Sequence, residues 1–286
     1  MRNGPIGSVV IPAHDEAAVI GRCLDTLFDG LAGGEVQVVV ACNGCTDATA
    51  DIARSCGHDV DVLEIATPSK PAAIRTAERT LTAFPRIYLD ADVELTGTAA
   101  RAVLAELSTG TAAARPPIHY DTSRSPAVVR AYYRARSRCP ELMERLWGAG
   151  VYGLSERGRS RFGDYPDVVS EDLFVDQHFD RAEISIVATT PVVVRVPRSM
   201  DALLRILRRT YRGNNDNQQD PSADGGHRTS RTSTSVVFRQ VAATARLGPG
   251  PAIDALTYIA VTIAARIRAR MGTGARWERD DSSRES

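Results

Sequence analysis

Four short β-branched apolar runs, each separated from the next by a helical pattern, limit this chain more than any other feature. They are "SVVIP" (8–12), "VQVVVAC" (36–42), "VDVLEI" (60–65) and "RIYLD" (86–90). Between them lie helical patterns at about 16–31, 46–56 and 70–84, with Thr46 or Asp47 placed to cap the second. Strands alternating with helices of this length predict parallel β-α-β units and a doubly wound α/β sheet. Runs with little polar alternation suit strands covered on both faces. In open sheets of this kind ligands bind beyond the carboxyl ends of the strands. Three polar clusters fall there: "PAHDE" after the first strand, "CNGCTD" after the second and "DAD" after the fourth.

The last cluster poses a chemical question. Asp90 and Asp92 stand one residue apart at the end of an apolar run. In a strand, residues i and i+2 point to the same side, so both carboxylates would face one space. Two such groups need a cation between them or water around both. A hard divalent ion is the natural partner, since Mg²⁺ takes one or two carboxylates plus substrate phosphates. A solvated acidic turn is the other reading. "CNGC" has zinc or redox spacing, but Asn-Gly is also a turn dipeptide, and a strand-to-helix turn explains it better. Five cysteines at 23, 42, 45, 56 and 139 make an odd count, which argues against a disulfide framework.

Charge narrows the partners. Thirty-five basic residues balance thirty-five acids, so nothing global points to nucleic acid. Lys70 is the only lysine. The polar start Met1-Arg2-Asn3-Gly4 runs straight into a strand, which predicts a cytoplasmic protein. The longest uncharged apolar stretch of the C-terminal third, "ALTYIAVTIAA" (255–265), is well short of the ~20 residues that span a bilayer.

The second half is less regular. It contains a helix over 125–147 broken or kinked by Pro140, and a glycine-rich segment that turns helical over 147–163. A helix over 169–179 follows, with Ser170 at its N-cap, and then a strand over 192–197. An amphipathic basic helix spans 200–214, a polar loop follows, and two helices close the chain at 236–247 and 251–270. In the last, Ile253, Leu256, Ile259 or Ala260, Ile263 and Ile267 form one stripe. That stripe predicts packing on the protein's own core, on a second copy in a homodimer, or peripherally on an anionic membrane.

These segments resemble family 2 glycosyltransferases of the GT-A fold, motif by motif and in order over about 6–215. "VVIPAHDEAAVIGRCLDTL" is similar to the family's opening. "CNGCTDATADIA" resembles its Asp-Asp-Gly-Ser-Thr-Asp turn, and "SKPAAIRTAERT" its Gly-Lys-x-x-Ala-Leu-Asn helix start. "YLDADVEL" matches its Asp-x-Asp strand end. "GAGVYGLSERGRSRFGDYPDVVSEDLFVDQHF" resembles its acceptor segment ending in Glu-Asp, and "RRTYRGN" loosely echoes its Gln/Arg-x-x-Arg-Trp element.

The resemblance implies inverting, metal-dependent transfer of a hexose from a nucleotide-diphosphate sugar to a sugar, lipid-linked or small-molecule acceptor. Mg²⁺ or Mn²⁺ would sit at Asp92, with Asp90 nearby. Asp172 would be the base, and Glu171, Gly148 and Gly150 would meet the acceptor. Pro12, Ala13, His14, Glu16, Asn43, Lys70, Arg209 and Arg212 would join Asp90 and Asp92 around the nucleotide sugar. Asn43 replaces a family aspartate and Gly213 a family tryptophan, which counts against processive polymer synthesis. The implied organisation is a nucleotide-binding half (1–118), an acceptor half with the base (119–215), a flexible polar loop (216–235), and C-terminal helices with a tail (236–286). Without the motif order, Glu171 and Asp172 read first as acids in a helix's first turn.

Two rival functions differ in class. A sugar nucleotidyltransferase calls for a glycine-rich loop after the first strand, yet "PAHDEAAVI" has no glycine before Gly21. A nucleotide-sugar-binding protein without activity would not need both Asp-x-Asp and Glu-Asp. The expected location is the cytoplasm, or the inner face of the membrane if the C-terminal stripe docks there.

Overall fold

The computed structural model describes residues 4–168, 170–219 and 234–271. The chain divides into two compact units, the first built from 1–118, 146–193 and 222–230 and the second from 119–145, 194–221 and 231–286.

The first unit is organised by how its strands split their side chains. β1 (Ser8–Ala13), β2 (Gln37–Asn43), β3 (Asp61–Ile65) and β4 (Arg86–Leu89) are the four runs seen in the sequence. Val9, Ile11, Val38, Val40, Ile87 and Leu89 enter one apolar layer. Their neighbours Val10, Val39, Ala41 and Tyr88 enter the other. Alternate residues of β1, β2 and β4 therefore meet two different cores, and these runs show little polar alternation because neither face meets water. β3, at the sheet edge, exposes Asp61 and Glu64.

Helices α1 (Ile20–Phe28), α2 (Thr49–Ser55) and α4 (Gly97–Ser108) cover the first layer. Helices α3 (Lys70–Glu78) and α8 (Glu171–Asp176) cover the second. The seven-stranded order is β3-β2-β1-β4-β7-β5-β8, where β5 is Ala113–Arg115, β7 Val151–Leu154 and β8 Ile184–Ile186. Pairing is parallel from β3 to β4 and between β5 and β8. β7 alone runs antiparallel to both of its neighbours. The doubly wound, mostly parallel sheet is thus present.

Helix α4 and strands β5, β7 and β8 did not emerge from the sequence patterns. β7, with short α7 (Glu156–Arg159), occupies the segment read as glycine-rich and then helical. Gly153 is needed there, because a Cβ would stand 2.8 Å from Leu107 Cδ1 and 3.1 Å from Val103 Cγ1 of α4. Close helix-on-sheet packing removed the side chain that would have marked the strand.

The connections β6 (Ile118–Asp121) and β9 (Val192–Arg195) carry the chain from one unit to the other. The second unit is helical: α5 (Ala127–Ser137), α6 (Pro140–Met143), α9 (Met200–Gln219), α10 (Thr234–Ala243) and α11 (Pro249–Met271). Pro140 divides the expected 125–147 helix and opens α6 at its first position, where a missing N–H costs nothing. Helix α9 runs past the expected end at 214. Most of the expected polar loop, 220–233, lies outside the described residues.

α11 departs most from expectation. It is 23 residues long. Among the described residues it contains one segment, Pro249–Ala269, long and apolar enough to cross a membrane by length and composition. Its inward face is Asp254, Ala255, Tyr258, Val261, Thr262 and Ala265, not the aliphatic stripe. The reason is α5. Arg134 holds Asp254 with two hydrogen bonds of 3.0 and 2.6 Å, and Arg138 adds one of 2.7 Å. Tyr132 stacks on Tyr258 with centroids 4.8 Å apart. These contacts turn the polar-aromatic face inward and the stripe outward.

Candidate active site

The site lies in the first unit, where the carboxyl ends of β1, β2 and β4 meet the starts of α3 and α8. The loops after β1 and β2 are sewn together. His14 Nδ1 donates to the Asn43 carbonyl at 2.6 Å, and Asn43 Nδ2 returns a bond to the Ala13 carbonyl at 2.8 Å. Asp15, at a φ of 52°, accepts from the Thr46 amide at 2.7 Å, which holds its carboxyl below the usual range. Glu16 N–H donates to Thr49 Oγ1 at 2.7 Å, and Ala17 N–H to Asp47 at 3.0 Å. Asp47 also accepts from the Thr49 amide at 3.0 Å, so it caps α2 from one residue before the N-cap, Ala48. Pro12, Ala13, His14, Glu16 and Asn43 therefore belong to one stitched rim, and Asn43 spends its amide protons on backbone.

The Cys42–Cys45 segment is a turn. Gly44 sits at a φ of 60°, and a Cβ there would lie 2.8 Å from Pro68. Burial, then Cys45, pushes the Cys42 thiol up to about 12, away from the thiolate that metal binding or redox exchange needs. Ligand atoms of Asp15, Cys45 and Asp47 lie within 4.8 Å of one another, because all three serve the loop stitching. All five cysteines are free.

Asp90 and Asp92 lie just past the strand. β4 ends at Leu89, and the Val93 amide closes a turn on the Asp90 carbonyl at 3.0 Å. The two aspartates are therefore turn residues, not alternate residues of a strand. Asp90 is half-buried and Asp92 exposed. A positive group meets one of the two: Lys70 Nζ lies 2.6 Å from Asp90 Oδ1. The same Nζ pairs with Glu171, whose side chain is 4% exposed.

Burial pushes the Glu171 carboxyl up toward about 7, Lys70 pulls it down, and Asp172 and Asp90 push it up again. Burial works against the Lys70 ammonium, but the acids around it win and raise it well above the usual lysine range. One cation thus serves three acids.

The glycine loop and α8 complete the arrangement. Gly148 N–H donates to Asp172 Oδ2 at 2.9 Å, and Leu146 N–H to Asp176 Oδ1 at 2.8 Å. Asp176 was not singled out from the sequence, although it follows Asp172 by one helical turn and makes the equivalent bond. Gly150, at a φ of 65°, lies against Asp90; a Cβ would meet Val93 Cγ2 at 2.5 Å. Its carbonyl accepts from the Asp90 amide at 2.8 Å. Ser170 holds the N-cap position without a side-chain capping bond, and Asp172 Oδ1 instead accepts from the Leu173 amide at 2.8 Å. The first-turn reading of Asp172 is therefore partly correct: one oxygen serves its own helix.

Beneath these groups Tyr88 stacks on Tyr152 at 4.9 Å, and Glu78 takes both Arg159 nitrogens at 2.7 and 2.8 Å. Arg209 and Arg212 fall in α9, and their side chains lie outside the described residues.

What this floor can hold follows from its donors. Asp90 and Asp92 offer hard carboxylate oxygens on one turn, which suit Mg²⁺ or Mn²⁺, and the acid excess over Lys70 leaves charge for such an ion.

The fold has relatives among solved structures. A mannosyltransferase of Pyrobaculum calidifontis, solved with GDP-Man and Mn²⁺, is 19% identical with a TM-score of 0.60, covering 94% of this chain and 88% of that one. Glucosyl-3-phosphoglycerate synthase of Mycobacterium tuberculosis, solved with Mn²⁺, UDP and glucosyl-3-phosphoglycerate, is 22% identical at 0.52, covering 73% and 78%. At these identities they establish the fold alone. No curated protein sequence matches the chain. The family model for glycosyl transferase family 2 matches residues 8–151, half of the chain, and spans the β1 rim, the Lys70 helix, the Asp90–Asp92 turn and the glycine loop. The chain belongs to glycosyl transferase family 2.

Proposed function

We propose that the protein is an inverting, metal-dependent hexosyltransferase that moves one sugar from a nucleotide-diphosphate sugar to an acceptor hydroxyl. The observation that carries this reading is the Lys70–Asp90–Glu171 cluster. It unites the start of α3, the turn after β4 and the start of α8 at the sheet edge where such sheets bind nucleotides. The metal complexes of the solved relatives, with Mn²⁺ or Mg²⁺, support a divalent ion, and the carboxylates offered for it are Asp92 with Asp90. Bound there, the ion neutralises charge that develops on the diphosphate leaving group.

The protein's own groups have separable tasks. The acceptor oxygen bonds to the anomeric carbon as the bond from that carbon to the diphosphate oxygen breaks, and the acceptor proton passes to Asp172. Asp172 suits this better than Glu171, because it is half-exposed while Glu171 is shut in at 3% exposure and tied to Lys70. The Gly148 amide fixes the direction of the Asp172 carboxylate. Gly148 and Gly150 line the acceptor side, while Glu171, buried and paired with Lys70, holds that ammonium in place. Pro12, Ala13, His14, Glu16 and Asn43 form the nucleoside rim, with Lys70 on the diphosphate side. The acceptor hydroxyl belongs to a sugar, a lipid-linked or a small-molecule acceptor, and the enzyme works in the cytoplasm.

A panel of nucleotide sugars, assayed with Mn²⁺ for released nucleoside diphosphate and by NMR for the product anomer, tests the proposal. Turnover with inversion is expected. Binding of nucleotide sugars without any product would instead establish the non-enzymatic rival, and a retained anomer would remove the single-base mechanism.

A further inference from the structure

Helix α11 turns its large aliphatic side chains away from its own unit. Ile253, Leu256, Ile263 and Ile267 are 62%, 68%, 47% and 52% exposed, and Leu247, just before the helix, is 71% exposed. With Ala260 the four helix residues follow three- and four-residue steps along one line. Singly exposed apolar residues are ordinary; four large ones in a line, with Leu247 exposed just ahead of them, form a patch that calls for an occupant.

Charge selects the occupant. Residues 234–271 contain five arginines, at 239, 246, 266, 268 and 270, and one acid, Asp254. Asp254 is buried and already engaged by Arg134 and Arg138. Arg239, Arg246 and Arg268 are exposed. A second copy laid along this stripe, parallel or antiparallel, would set arginines against arginines, which is costly, with no free acid within the helix to answer them; the next acids, Glu278, Asp280, Asp281 and Glu285, fall after its end. An anionic surface answers both features at once.

We infer that α11 and the turn Thr244–Leu247 before it dock in the plane of a bilayer carrying anionic lipid. Leu247, Ile253, Leu256, Ile263 and Ile267 enter the acyl boundary while Arg246 and Arg268 stay at the phosphates. The helix lies flat because Asp254 and Tyr258 tie its other face to α5. This inference stands independently of the transfer reaction proposed above.

Flotation of the full chain with phosphatidylcholine vesicles, with and without phosphatidylglycerol, tests it. The protein is expected to float with the anionic vesicles at low salt, to leave them at high salt, and to stay behind with phosphatidylcholine alone. Leu256→Asp/Ile263→Asp should abolish flotation with an unchanged thermal melt. Arg246→Gln/Arg268→Gln, which touches no apolar contact, should weaken it by roughly fivefold per arginine. Protein that stays behind on both vesicles at low salt overturns the inference. So does equal binding to neutral vesicles, or resistance to alkaline extraction, which would mean a span. A solution dimer that Leu256→Asp/Ile263→Asp dissociates, without vesicle binding, assigns the stripe to a second copy. Donor turnover measured in parallel keeps this outcome separate from that of the transferase proposal.

Discussion

Two clusters of opposite composition sit in the two units. In the first unit one ammonium, Lys70, serves Asp90 and Glu171, with Asp172 adjacent. In the second, one carboxylate, Asp254, is held by Arg134 and Arg138. The first has more acid than its cation can satisfy and opens on the side of Asp90 and Asp92. The second is charge-satisfied at its centre: Asp254 is 3% exposed and its arginines reach to solvent. An unfinished charge balance at a sheet's carboxyl edge invites a metal ion and a ligand, whereas a finished one clamps two helices. Arginine suits the clamp, because its planar fork meets a carboxylate with two bonds. Lysine suits the site, because a single compact nitrogen can touch two acids from different elements. In a chain with thirty-five basic residues, the one lysine stands there.

The comparison can be broken most sharply at Asp172. Asp172→Asn is expected to lower transfer by ~10²–10⁴-fold with donor affinity nearly intact, read by steady-state kinetics and calorimetric titration. Wild-type turnover in this variant would return Asp172 to the role of a helix-end acid. Asp92→Ala should remove the metal dependence of donor binding while the fold persists; binding that still needs the ion would move the metal elsewhere.

Next in size is Lys70→Arg. A planar fork cannot reproduce the Nζ position between Asp90 and Glu171, and misplacement of this order costs up to ~10²-fold in kcat/KM. Asp254→Asn should leave kcat unchanged and lower stability by roughly 1–3 kcal/mol in a thermal or denaturant melt. If the two variants exchange these signatures, the assignment of one cluster to chemistry and the other to structure is wrong.

The clusters should also differ in pH response. Glu171 has an ordinary value of 4.5 and is raised toward about 7 in the fold, chiefly by burial. The folded state therefore holds this proton more tightly than the unfolded chain. Its contribution is full below 4.5 and is lost as pH climbs toward 7. For Asp254, burial pushes the carboxyl up, but hydrogen bonds from Arg134 and Arg138 reverse this and leave it below its ordinary 3.8. Its contribution is present above 3.8 and lost on acidification below it. Melts across pH should show the first slope vanish in Glu171→Gln and the second in Asp254→Asn.

The smallest expected effect is Leu256→Asp, within about 0.5 kcal/mol of wild type, because the side chain faces outward. Val261→Asp, on the buried face, should unfold the helix pair. A reversed result would turn α11 over.

The sequence by itself determined the left half of the sheet. Runs such as 9–12 and 38–42 are apolar at every step, as a strand between two cores requires. It also singled out Asp90 and Asp92, because acids at a strand end stand out against apolar neighbours, whereas Glu171 and Asp172 drew notice only through the order of the family's motifs. Tertiary structure alone decided the rest. β7 carries Gly153 where α4 comes too close for a side chain, so periodicity is silent there. The partnership of Lys70 with Asp90 and Glu171 joins residues 20 and 101 positions apart, a proximity created by the winding of α3 and α8 onto one sheet edge. The facing of α11 went against its own periodicity: hydrophobic spacing says which residues share a face, but a buried ion pair and a tyrosine stack chose which face turns inward.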